Sequence, residues 1–175
     1  MIEIVAFKKK YRAKTIHLTH LSSDHPGLYL KGVNGSGKTT LLKAMADIIP
    51  YQGSIQIPRP VLYLDASLPL PIRPLKKIKK LLSPSSLILF EQWFSKEDEA
   101  LMPDECSLGM RQKLRLCVGL SYDVQTIILD EPLRGLDQAA SLVLVERLAQ
   151  EEKKVVMTSH ETFTCPSSWA IVEMF

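Results

Sequence analysis

The chain has no apolar run near the roughly 20 residues needed to cross a bilayer. If it works at a membrane, another chain must supply the span. It opens with no secretory signal. Its three cysteines, Cys106, Cys117 and Cys165, are odd in number and show no metal-ligand spacing. A reducing, cytosolic setting is therefore the expectation, rather than a disulfide scaffold. Neither sign of charge dominates: 22 basic and 19 acidic side chains leave a net charge of +3, too small to argue for nucleic acid. There is no internal repeat and no low-complexity tract. What remains is an ordinary globular composition, 46% hydrophobic and 23% charged over 175 residues. That suffices for a sizeable core in one domain, or one domain with a small inserted subdomain.

The most informative stretch is Gly32-Val33-Asn34-Gly35-Ser36-Gly37-Lys38-Thr39-Thr40, with the spacing G-x-x-G-x-G-K-T. Glycines at this spacing let the backbone curl so that successive N–H groups face a di- or triphosphate. Lys38 can reach the terminal phosphates, and the Thr39 hydroxyl can ligate Mg²⁺. A short apolar strand, Gly27 to Leu30, precedes the loop. The apolar face of a helix follows it, formed by Leu41, Leu42, Ala44, Met45 and Ile48. The dipole at the start of that helix also favours an anion.

Along the chain, strands are expected at Ile2–Phe7, more weakly at Thr15–Leu18, and then at Ser54–Ile57, Val61–Leu64, Thr126–Asp130, Lys154–Thr158 and Trp169–Val172. The helix after the loop is expected to reach Ile49, where Pro50 and Gly53 end it. Further helices are expected at Leu75–Leu82, Ser85–Phe94, Leu108–Ser121 and Gln138–Gln150. Strands alternating with helices, several of them apolar on both faces, indicate a mainly parallel α/β sheet. In such sheets ligands sit at the C-terminal ends of the strands. Two carboxylates stand there, at the end of Ile127-Ile128-Leu129-Asp130-Glu131. Asp130 can hold Mg²⁺ opposite Thr39. Glu131 projects differently and can orient or deprotonate an attacking water.

These two motifs fit many phosphate-loop enzymes, small-molecule kinases included. The segment Cys106-Ser107-Leu108-Gly109-Met110-Arg111-Gln112-Lys113 separates them. It resembles the signature motif, usually written LSGGQ, of the ATP-binding cassette (ABC) ATPases, and it precedes the Asp130 strand as in that family. Ser107 is also a natural helix N-cap, and Gly109 permits close backbone approach. Leu133-Arg134-Gly135-Leu136-Asp137 resembles the family's D-loop, and Ser159-His160 its switch histidine. Tyr11 stands where the family places an aromatic residue that stacks on adenine; a packing role fits that position equally well.

The resemblance runs from Tyr11 to His160. It implies a P-loop NTPase fold of the RecA-like kind, with a small N-terminal antiparallel β part. It also implies one ABC ATPase domain over 1–175, with a short helical subdomain inserted at about 67–120. The implied activity is hydrolysis of ATP with Mg²⁺ in a head-to-tail dimer of ATPase subunits, homo- or heteromeric. The implied partner is a separate transmembrane permease, driven from the cytosolic face of the membrane. Asn34, Gly35, Ser36, Gly37, Lys38, Thr39 and Thr40 would bind the nucleotide; Thr39 and Asp130 would hold the metal. Glu131 would be the base and His160 its assistant. Ser107, Gly109 and Asp137 would act on the ATP of the other subunit.

The chain departs from the family's pattern first at the end of the strand before the insert. Where a glutamine normally ends the Val61–Leu64 strand, Asp65 or Ala66 stands here. Asp65 could serve as an oxygen ligand and Ala66 could not. The signature is also degenerate, with Leu108 in place of a glycine and Cys106 in place of the leucine. The short insert and the end of the chain soon after His160 read as a minimal cassette. Arg73, Lys76, Lys77, Lys79 and Lys80 read either as a solvated helix face or as a surface beside anionic lipid or a permease loop. The cluster lacks interleaved aromatics, so no nucleic-acid partner is expected. Three rivals stay open: a soluble ABC ATPase of repair or translation, a small-molecule phosphotransferase, and a cassette that binds ATP with little hydrolysis.

Overall fold

The computed structural model describes residues 1–174. Five strands form a parallel sheet: β3 (Gly27–Gly32), β5 (Val61–Leu64), β6 (Thr126–Asp130), β7 (Lys154–Thr158) and β8 (Trp169–Met174). Their spatial order is β5-β6-β7-β3-β8. Three strands form a second, antiparallel sheet: β1 (Ile2–Lys10), β2 (Thr15–Ser23) and β4 (Gln52–Gln56), in the order β2-β1-β4. The α/β class with a parallel sheet and an antiparallel N-terminal part is thus the observed one.

Side-chain alternation along the central strands explains why both faces of the parallel sheet are covered. Ile128, Val156, Leu28 and Leu30 point to one face, where they pack with α1 (Lys38–Met45) and with Ile2, Ile4 and Phe7 of the antiparallel sheet. Ile127, Leu129, Val155 and Met157 point to the other. There they meet α2 (Leu75–Lys79), α3 (Pro84–Trp93), α4 (Leu108–Leu120) and α5 (Gln138–Ala149). A 3-10 turn at Asp98–Ala100 completes the segment between β5 and β6. Leu75, Ile78, Leu89 and Phe90 of that segment join the same apolar cluster as the sheet. Ser107, read from sequence as an N-cap, caps α4, and α3 is capped by Ser83, a residue the sequence reading had not singled out.

Several boundaries differ from expectation. The helix after the phosphate loop stops at Met45 and not near Ile49. Asp47 takes a left-handed conformation, φ 56°, and its N–H reaches Ala44 O at 3.0 Å while that of Ile48 reaches Lys43 O at 2.9 Å. These two bonds form a Schellman closure. Ile48 therefore lies outside the helix and is 52% exposed. The lysine-rich helix likewise ends at Lys79 and not at Leu82, and Leu81 is left exposed. β1 and β2 are longer than expected because they pair along their whole length, from Ile2 opposite Ser23 to Lys10 opposite Thr15. β1 carries a bulge: Ala6 stands at φ 52° and the register with β4 shifts between Val5 and Lys8. Gly53 is needed beside it, since a Cβ there would lie 2.4 Å from Ala6 O.

Candidate functional site: a phosphate cleft and an exposed signature surface

The phosphate loop links the end of β3 to the start of α1. Its curl rests on left-handed glycines, Gly35 at φ 81° and Gly37 at φ 104°. Gly37 also lets β2 approach, since a Cβ on it would lie 2.6 Å from Ile16 Cγ2. Gly37 is the N-cap of α1, no side chain caps that end, and no acid lies in the first turn. The first N–H groups of the helix therefore keep their capacity for an anion. The Lys38 ammonium donates to Gly32 O at 2.8 Å and Val33 O at 3.1 Å, so its charge is folded against the loop. Ser36 Oγ is buried without a hydrogen-bond partner.

A cleft of about 610 Å³ opens on this loop. Asn34, Gly35, Gly37, Lys38, Thr39 and Thr40 line one side; Glu131, Arg134, His160 and Glu161 line the other. Six of the seven loop residues singled out from sequence thus line one cleft, together with Glu131 and His160. Ser36 does not, because its side chain turns in behind the loop. Tyr11 does not either. It sits in the turn between β1 and β2, 44% exposed, with its hydroxyl 3.3 Å from Thr40 Oγ1.

Asp130 ends β6 beside Thr39, whose hydroxyl donates to Asp130 Oδ1 at 3.2 Å. Two hydroxyls from the flanking strands complete its surroundings. Thr158 of β7 donates to Oδ1 at 2.9 Å, and Tyr63 of β5 donates to Oδ2 at 2.7 Å. Burial, followed by the hydrogen bond to Asp130, pushes the Tyr63 phenol well above the ordinary tyrosine value. Thr39 and Asp130 offer hard oxygens side by side, a donor pair that suits Mg²⁺.

Glu131 occupies a left-handed turn at φ 56°, an uncommon conformation for a side-chain-bearing residue. The His160 backbone N–H donates to Glu131 Oε2 at 2.8 Å, and His160 Nε2 stands 3.4 Å from Oε1. The Glu131 N–H donates in turn to Thr158 Oγ1 at 3.3 Å. Tyr63, Thr158 and Glu161 escaped the sequence reading, and Arg134 was read only as part of the D-loop resemblance and not as a cleft residue. Tyr63 and Thr158 act across strands distant in sequence, and only the β5-β6-β7 order brings them to Asp130.

Ser107, Gly109 and Asp137 lie outside the cleft of their own chain. The Ser107 hydroxyl accepts from Met110 N–H at 3.2 Å, capping α4. A Cβ on Gly109 would lie 3.0 Å from Gly135 O, so the start of α4 touches the loop before α5. Gln112 Nε2 donates to Pro132 O at 3.2 Å and Lys113 Nζ to Asp137 Oδ2 at 2.8 Å. The Lys113 contact, then the Ala140 N–H, hold the Asp137 carboxyl below its usual range. Ser107, Leu108 and Asp137 are exposed, Gly109 is half-buried, and Gln112 is buried beneath them. At the position of the missing glutamine, Asp65 Oδ1 accepts from the N–H and the hydroxyl of Ser67. Neither Asp65 nor Ala66 lines the cleft.

No protein-family model matches the chain. Among curated proteins it is 29% identical over 186 residues to YybJ of Bacillus subtilis (strain 168), an uncharacterised ABC transporter ATP-binding protein, covering 91% of this chain and 85% of YybJ. It is 28% identical over 172 residues to the zinc import ATP-binding protein ZnuC of Haemophilus ducreyi, covering 90% of this chain; the chain spans only 64% of that relative's length. Among solved structures it superposes, at 17% and lower identity, on the ABC transporter cassette MJ0796. The dimer of that cassette bound to ADP and Pi matches with TM-score 0.71 and 16% identity, covering 92% of this chain and 88% of MJ0796. A phosphate loop, a strand ending in two acids and a capped signature helix agree with these comparisons: the chain's homologues are ABC transporter ATP-binding proteins, and its fold is that of the ABC ATPase cassettes.

Proposed function

We propose that this chain is an ATPase subunit that dimerises head-to-tail around two ATP·Mg²⁺ and hydrolyses them to drive a separate membrane permease. The observation that carries the reading is the Glu131 carboxylate, held by His160 N–H at 2.8 Å on the wall facing Lys38 and Thr39. In this reading Lys38 exchanges its loop carbonyls for the terminal phosphates, and the free N–H groups of α1 take the rest of the anion. Thr39 and Asp130 would hold Mg²⁺, which would supply charge neutralisation at the phosphates. Glu131 accepts a proton from the attacking water, and His160 keeps the carboxylate aimed. Tyr11 covers the adenine beside Thr40.

Ser107, Gly109 and Asp137 supply the second half of each site. Ser107 and Asp137 are exposed, Gly109 is half-buried, and none of the three lines the cleft of its own chain, which fits contact with the ATP of a partner subunit. Among the described residues no helix is long and apolar enough to cross a membrane, and in this reading a separate permease supplies the span. Support for transport comes from the relatives, YybJ being an ABC transporter ATP-binding protein and ZnuC a zinc import one. On this reading the protein lies at the cytosolic face of the membrane.

The test is phosphate release from ATP by the wild-type protein and by Glu131→Gln. General-base catalysis contributes about 10²–10⁴-fold, so the variant should bind ATP and turn over at least about 100-fold more slowly. Wild-type turnover in Glu131→Gln contradicts the assignment. A second reading, ATP binding with little hydrolysis, draws on the Asp65 and Ala66 side chains being absent from the cleft wall. Wild-type phosphate release that stays at the buffer background, with and without membranes, selects it.

A further inference from the structure

Asp130 is held by one hydroxyl from each direction. β6 lies between β5 and β7, and Tyr63 is level with Ile128 in the parallel register. A tyrosine is long enough to reach from there to the strand end, where its hydroxyl donates to Asp130 Oδ2 at 2.7 Å. Thr158, level with Asp130 itself, donates to the other oxygen at 2.9 Å. With both oxygens anchored by packed strands, the carboxylate cannot rotate without breaking a bond. Its Oδ1 then stays turned to Thr39. On the β5 side no other side chain reaches this carboxylate among the described residues. Asp65 is taken up by Ser67, and Ala66 has no donor or ligand atom.

We propose that Tyr63 is a positioning residue of the metal corner: its hydroxyl orients Asp130 for Mg²⁺ from the strand whose end lacks the expected glutamine. The inference rests on Thr39 and Asp130 being the metal pair. Its chemistry is simple. Were the Thr39 hydroxyl to ligate Mg²⁺ instead of donating to Asp130, the carboxylate would keep the Tyr63 and Thr158 hydroxyls, which would hold it from swinging away. Tyr63 acts through Asp130 and touches neither nucleotide nor metal. Its ring packs against the apolar cluster under α1, so Tyr63→Phe preserves the packing and deletes one hydrogen bond.

The experiment compares ATP binding in Mg²⁺ and in EDTA for wild type and Tyr63→Phe, by fluorescence of a labelled ATP. A hydrogen bond to a charged group is worth about tenfold or more in affinity. The Mg²⁺-dependent gain in ATP affinity should therefore fall about tenfold in the variant. Affinity in EDTA should stay within about twofold of wild type, because the loop and Lys38 are untouched. In an Asp130→Asn background, Tyr63→Phe should change nothing further. An unchanged Mg²⁺-dependent gain overturns the inference. So does loss of binding in EDTA as well, which would make Tyr63 a support of the fold and not of the metal corner. If wild-type protein itself gains nothing from Mg²⁺, the metal pair is wrong and the proposed function falls with it.

Discussion

Replacing Thr158 with valine keeps the shape of a fully buried side chain and deletes one oxygen. That oxygen serves two partners at once. It donates to Asp130 Oδ1 at 2.9 Å and accepts from Glu131 N–H at 3.3 Å. A hydrogen bond to a charged carboxylate contributes about 1.5–3 kcal/mol, and stranding a buried amide costs about 1 kcal/mol or more. The methyl group that valine adds recovers about 0.8 kcal/mol. The expected net loss is about 2–3 kcal/mol, with no cavity to relax. For a chain of this length that lowers the melting temperature by about 4–12 °C. Urea unfolding followed by tryptophan fluorescence checks it, with the midpoint falling and the m-value unchanged. Thr158→Ser retains the hydroxyl and should cost only about 1 kcal/mol for the lost methyl. A Thr158→Val loss below about 0.5 kcal/mol would refute the reasoning, as would an equal loss in Thr158→Ser.

Ser107→Ala removes the cap of α4 and should cost about 1 kcal/mol of stability; turnover should fall far more than stability does, since the hydroxyl is assigned to the partner's ATP. The Asp137 carboxyl has a lowered pKa in the fold, so its contribution is present above the unfolded value and is lost as pH falls through the folded one. The melting-temperature advantage of wild type over Asp137→Asn should hold from pH 7 to about 5 and narrow below the ordinary aspartate value of about 3.9. Charge reversal at Lys76, Lys77 and Lys80 should weaken co-purification with membranes, and unchanged recovery would leave these lysines a solvated face. Lys79 drops out of that group, because it bridges Glu99 at 2.8 Å and Glu91 at 3.2 Å within the helical segment.

What the sequence showed depended on whether the cause was local. The phosphate loop is written in one stretch because its glycines and Lys38 act on one curl of backbone. Ser107 was legible as a cap because a cap bonds its own helix. The apolar Ile127-Ile128-Leu129 run announced a strand covered on both faces, which the two clusters bear out. Tyr63 and Thr158 were hidden because their function depends on strand order, and their sequence signal is only a polar atom in an apolar strand. The end of α1 was misplaced because Asp47 closes the helix in a conformation that glycine usually takes. Glu131 was chosen for its carboxylate; its left-handed turn, which sets its direction into the cleft, had no signal in the sequence.

The central proposal is that each ATP is completed by the signature surface of a second ATPase subunit, for which a second copy of this chain is the first candidate. Light scattering of Glu131→Gln tests it most directly. With ATP and Mg²⁺ the mass should double, and with ADP or without Mg²⁺ it should remain that of one chain. A variant that binds ATP and Mg²⁺ fully yet stays monomeric at all concentrations would contradict the homodimeric form of the account, because Ser107 and Gly109 of a second copy would then have no phosphate to meet.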